Sequence, residues 1–124
     1  MESTKEQDAE VLDEALALSS VGGDREFLAE LVGLVQAAWP TLLADIRASM
    51  AGGDLPSLRR AGRLAKAAAH NVSARRAYDS ALQLETAASM GDLRAALRAR
   101  ANLEQEVERL QLVLPTLVHP GPSL

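Results

Sequence analysis

The sequence predicts an all-α fold: an antiparallel four-helix bundle with a short extra helix at the N-terminus. Apolar residues recur at steps of three and four through five successive segments, the spacing that keeps them on one helical face. Hydrophobic residues make up 48% of the chain and aromatics only 2%, so the core has to be built from Leu, Val, Ile and much Ala. Ala and Leu are strong helix formers, and Ala lets helices approach closely. Glycine stops followed by aspartate caps separate several of the segments, and none of the five alternates as a strand would. A length of 124 residues suits a single core. Residues 9–117 are read as one domain, with tails at 1–8 and 118–124.

The first, short helix carries Val11, Leu12, Ala15, Leu16 and Leu18 and stops at Gly22-Gly23. Asp24 caps the second, whose stripe runs from Phe27 through Leu28, Leu31, Val35, Ala38, Leu42 and Ile46 to Met50. Pro40 lies inside this pattern, where it removes a backbone hydrogen bond and predicts a bend near Ala37 to Trp39 in an otherwise continuous helix. Gly52-Gly53-Asp54 is the next stop and cap, and Pro56 is tolerated in the first turn of a third helix reaching about Val72. Turn formers at Asn71-Val72-Ser73-Ala74 precede a fourth helix, with Tyr78, Ala81, Leu82 and Leu84, that ends before Gly91-Asp92. The last helix places Leu103, Val107, Leu110, Leu114 and Leu117 in a heptad-like stripe, with Glu104, Glu106, Glu108 and Arg109 mostly off it, until Pro115 and the Pro120-Gly-Pro122 tail close it. A Leu/Val face left open there would allow weak homodimerisation.

Composition narrows the chemistry. Without cysteine there is no disulfide framework, thiolate ligand or thiol nucleophile, and a cytoplasmic location is the simplest expectation. A formal net charge of −4 disfavours general nucleic-acid binding. The polar start Met1-Glu-Ser-Thr-Lys-Glu-Gln-Asp is unlike a signal peptide, and no unbroken apolar run nears the roughly 20 residues of a membrane span, so no membrane association is expected. No Glu-x-x-His pair occurs, which disfavours a di-metal bundle; no metal or cofactor is expected, and His119 in the tail is given no role.

The third helix has two distinct faces. Leu55, Leu58, Ala61 or Gly62, Ala65, Ala69 and Val72 make its core stripe. Arg59, Arg63, Lys66 and His70 follow steps of four, three and four along the exposed side, interrupted only by small Ala67. Such a row is an ordinary solvated face on many amphipathic helices; beside small residues it also suits docking of an acidic, protruding partner.

The segment Leu58-Arg-Arg-Ala-Gly-Arg-Leu-Ala-Lys-Ala-Ala-Ala-His-Asn-Val-Ser-Ala74 resembles the signature of histidine phosphotransfer domains of bacterial phosphorelays. In that register Lys66 matches the family's lysine three residues after the histidine, Ala67 its glycine and Ala68 its serine, and Asn71 to Ala74 match its Asn-Val-Gly-Ala turn. Val21-Gly-Gly-Asp24 with Glu26-Phe-Leu, Pro40, Leu84-Glu85 and Gly91-Asp92 resemble further family marks, so the likeness extends over residues 10–115. Gly62 takes the place of the family's alanine and Arg63 that of its phosphorylated histidine.

That departure falls on the residue that defines the family's activity. A guanidinium is protonated at physiological pH and has no lone pair to attack phosphorus, so Arg63 is no phosphoryl carrier. The resemblance therefore implies a phosphorelay protein that binds a response-regulator receiver domain or a hybrid histidine kinase without carrying phosphate, with Arg59, Arg63, Lys66, Ala67 and His70 as the docking residues. One alternative moves the acceptor to His70, seven residues and roughly 10 Å beyond Arg63. Against it stands the in-line geometry of phosphoryl transfer, which a two-turn shift disturbs. A cationic residue favoured by the C-terminal helix dipole is the plainer role for His70. Two further readings are a carrier-type bundle, in which Asp79-Ser80-Ala81-Leu82 mimics the Asp-Ser-Leu of acyl carrier proteins, and a helical scaffold unrelated to phosphorelays.

Overall fold

The computed structural model describes residues 11–118, and all secondary structure in that span is helical. The helices are α1 (Glu14–Ser20), α2 (Arg25–Ala51), α3 (Leu55–Asn71), α4 (Arg75–Met90), α5 (Leu93–Val113) and α6 (Pro115–Val118). Residues 1–8, most of the expected C-terminal tail and His119 lie outside the described span; Val118, assigned to that tail, is the last residue of α6.

Aspartates start four of the helices. The side chains of Asp13, Asp24, Asp54 and Asp92 each accept a hydrogen bond, at 3.0–3.1 Å, from the backbone N–H three residues on. Each thereby satisfies one of the otherwise orphaned donors of a first turn. Ser57 Oγ also donates to Asp54, and this bond is the first of the contacts that hold the Asp54 carboxyl below its usual range. Asp13, which was not expected as a cap, starts α1 two residues after Val11 and leaves Ala17 as that helix's buried residue. Leu16, expected on the apolar side, is exposed.

In α2 the buried residues are Leu28, Val32, Val35, Trp39 and Ile46. A strict count of threes and fours from Phe27 missed Val32 and Trp39 because each sits one position from a residue that fits the count equally well. Phe27 itself is half exposed and Ala38 only partly buried, while Trp39 is fully enclosed. The helix runs continuously through Pro40. Pro40 leaves the carbonyl of Gln36 without its partner within the helix, and Gln111 Nε2 of α5 donates to that oxygen at 3.3 Å. By length and mean hydropathy, 1.5 over its most apolar stretch, α2 could span a membrane. No unbroken apolar run marks this in the sequence, because isolated polar residues such as Glu30 and Gln36 interrupt the stretch without greatly lowering its average.

Helices α3 and α4 pack through small side chains. Ala61, Ala65, Ala68 and Ala69 on one, and Ala77, Ala81, Ala87 and Ala88 on the other, are all buried. At Gly62 the approach is closest: an added Cβ would lie 3.1 Å from the backbone nitrogen and 3.2 Å from the Cα of Glu85. The α3–α4 turn holds Ser73 at φ 57, the left-handed conformation that suits glycine. Its carbonyl accepts a hydrogen bond from the N–H of Asp13, which ties the N-terminal segment to this turn.

Helix α5 packs on α4 and returns alongside α2, where Arg47 pairs with Glu104. The Arg47–Glu104 and Gln36–Gln111 contacts ascend one helix while descending the other, so α2 and α5 are antiparallel. Pro115 divides the last stripe. Helix α5 ends at Val113, and α6 packs against α2. Leu103, Val107, Leu110, Leu114 and Leu117 are all buried, so this stripe lies in the chain's own core, while Leu97 and Leu112 of α5 are exposed. Glu106, expected off the stripe, is also buried; its Oε2 accepts from Arg76 of α4 at 3.1 Å and lies 3.5 Å from Arg109. Two arginines neutralise a carboxylate that would otherwise be costly to bury.

Candidate functional site

The basic row predicted along α3 divides into two environments. Arg59, Arg63 and Ala67 are exposed and Lys66 is half buried, as residues on one outward face should be. Two of the cations are already engaged. Lys66 Nζ donates to Oε1 of Glu85 at 2.7 Å, and Arg63 Nε donates to Oε2 of the same carboxylate at 3.2 Å.

Glu85 can span both because of Gly62. With no Cβ at 62, the α4 backbone comes close enough for a glutamate on the facing turn to sit beneath residues 63 and 66. The Glu85 side chain is only 14% exposed, so its pairing is shielded more than that of a surface ion pair. The hydrogen bond from Lys66 holds its carboxyl below the usual carboxylate range; burial opposes this, and Arg63 adds to it. The Arg63 side chain remains 63% exposed, and beyond the bond from Nε its guanidinium has no partner among the described residues. Its terminal NH groups are therefore open to a carboxylate or phosphate from outside.

His70 belongs to a different surface. It is exposed in the last turn of α3, and its ring centroid lies 6.1 Å from that of Tyr78 at an interplanar angle of 54°. The pair lines a largely apolar groove of about 730 Å³ that also takes in Leu16, Phe27, Leu31 and Arg75. The structure thus brings together Arg63 and Lys66 through Glu85, leaves Arg59 and Ala67 on the same face, and directs His70 to the groove.

Ser80, the serine of the carrier-like Asp-Ser-Ala-Leu segment, is buried at 8% exposure between α4 and α5. It lines a polar cleft with Arg76, Glu106 and Arg109 and has little exposed surface for a prosthetic arm. Arg76, one turn before Ser80 on α4, is paired with Glu106. Among the described residues no three His, Asp or Glu side chains converge as metal ligands would.

Glu85 is the site residue that the sequence reading did not single out. It follows Leu84 in a segment noted only as a family mark, 19 residues from Lys66 and 22 from Arg63. The available signal was Gly62, a glycine on the core face of a helix rich in alanine, which marks a close backbone approach. Comparison with protein-family profiles, with curated proteins and with solved structures found no match.

Proposed function

We propose that this chain is a histidine phosphotransfer-like adaptor of a two-component phosphorelay, which binds a receiver domain or a hybrid histidine kinase through the α3 face and carries no phosphate itself. The observation that carries this reading is Arg63. At the position of the family's acceptor histidine it offers an open guanidinium edge, beside exposed Ala67 and the cation of Lys66. A receiver's phosphorylation pocket is acidic, and a fixed cation with free donors at its mouth complements that charge.

Two features of the fold support the reading. Helices α2 to α5 follow one another with α1 as a short extra helix, an order compatible with the antiparallel bundle the resemblance implies. Ser73, where the family's turn has glycine, has a glycine-like φ of 57. The cytoplasm, where the partners would lie, is the expected location.

The relocated-acceptor reading gains less support. It needs Lys66 to stabilise phosphoryl charge on His70, but Lys66 is held by Glu85 and His70 packs against Tyr78. Both readings are tested by incubating the protein with phosphorylated receiver domains and following its intact mass, alongside Arg63→His and His70→Gln. The adaptor reading expects no phosphate on the wild type and uptake by Arg63→His. Acid-labile phosphate on the wild type that disappears in His70→Gln would replace it with a relay through His70, and failure to bind any receiver or kinase would remove both.

A further inference from the structure

We infer that Glu85 is a positioning residue for partner binding: by holding Arg63 through Nε it presents the terminal NH groups outward, forming a Glu85–Arg63–partner carboxylate bridge. This rests on the adaptor reading above and adds to it the residue that sets the geometry and the reason the position requires arginine.

The arrangement follows from the donor inventory. Arginine has five N–H donors in a rigid planar fork, so it can satisfy an internal carboxylate with Nε and an external one with its terminal groups. Arg63 uses Nε on Glu85 at 3.2 Å, and no group among the described residues takes the other end. Lysine at 63 would retain the charge, but one ammonium cannot present two fixed edges, and it would crowd Lys66, which already occupies the other Glu85 oxygen at 2.7 Å. Glu85 is itself fixed, since its backbone lies against Gly62 and its side chain is largely buried. A guanidinium held at one end loses less conformational freedom when a partner takes the other.

Charge alone predicts the opposite sign. If Glu85 only competed with the partner for the two cations, removing it would strengthen binding to an acidic surface. If Glu85 positions Arg63, removing it weakens binding although a negative charge has been taken away. Arg63→Lys separates the two cases again, because a point charge suffices for competition and not for a bridge.

The experiment titrates the full chain with a panel of purified receiver domains in the presence of Mg²⁺, for the wild type, Glu85→Ala, Arg63→Lys and the double variant. Circular dichroism confirms that each variant is folded, and the Arg63 Nε–Hε resonance is followed by NMR in the free protein. Positioning predicts a protected Arg63 Hε that is lost in Glu85→Ala. It also predicts about tenfold weaker binding for each single variant and little further loss in the double, since the residues act as one unit. Wild-type binding combined with tighter binding by Glu85→Ala, unchanged binding by Arg63→Lys, or an Arg63 Hε indifferent to Glu85 overturns this inference alone. No binding by the wild type to any receiver overturns it together with receiver binding as the function.

Discussion

Substituting Gly62 by alanine sets two known effects against each other at one position. Alanine in a helix interior is favoured over glycine by about 0.8–1 kcal/mol. At position 62, however, the new Cβ would lie 3.1 Å from the backbone nitrogen and 3.2 Å from the Cα of Glu85. Backbone in the middle of α4 cannot rotate away as a side-chain tip can, and α4 is backed by α5, so the helices must separate by a few tenths of an ångström. Overpacking of this kind costs about 1–3 kcal/mol, leaving a net loss of about 1 kcal/mol after the propensity gain. Gly33, inside α2, is the control: a Cβ there meets nothing within 4 Å, so Gly33→Ala should gain close to the full propensity term. The two variants should differ by about 2 kcal/mol, or about 8 °C in Tm at about 4 °C per kcal/mol for a chain of this size. Thermal and urea unfolding followed by circular dichroism at 222 nm measures the gap. Equal stabilisation by the two substitutions would refute the close α3–α4 approach and, with it, the placement of Glu85 beneath Arg63 and Lys66.

Other expectations follow from single contacts. Ser73→Gly should stabilise by about 0.5–1 kcal/mol in chemical denaturation, because relief of the left-handed serine exceeds the added unfolded-state freedom of glycine; destabilisation would show that φ 57 carries no strain. Gln111→Leu should be about 1 kcal/mol more damaging in the wild type than in a Pro40→Ala background, where the restored N–H takes over the Gln36 carbonyl. Equal effects in the two backgrounds would show that Gln111 does not compensate for the proline. The Glu85 carboxyl is depressed in the folded state, so its contribution is present above the ordinary carboxylate range and lost as pH falls through the folded value. The stability gap between wild type and Glu85→Gln, about 1 kcal/mol at pH 7, should therefore close on acidification, and a gap that widens would contradict the pairing.

Much of the fold was legible in the sequence because its cues are local. Caps at Asp24, Asp54 and Asp92, the glycine stops and the buried stripes of α3 and α5 depend on neighbours within a turn or two, and they stand where the spacing put them. Departures arose where a distant surface decided the matter. The choice of Val32 and Trp39 over Ala38, and the exposure of Leu16 and Phe27, depend on which side of each helix meets the others. Periodicity identified Arg59, Arg63 and Lys66 as members of one row, since residues three and four apart share a face whatever lies opposite. It could not show that Glu85 already holds two of the cations or that His70 packs on Tyr78. An ion pair and a ring contact each need a second segment, and only packing brings the Glu85 backbone within 3.1 Å of a Cβ added at residue 62.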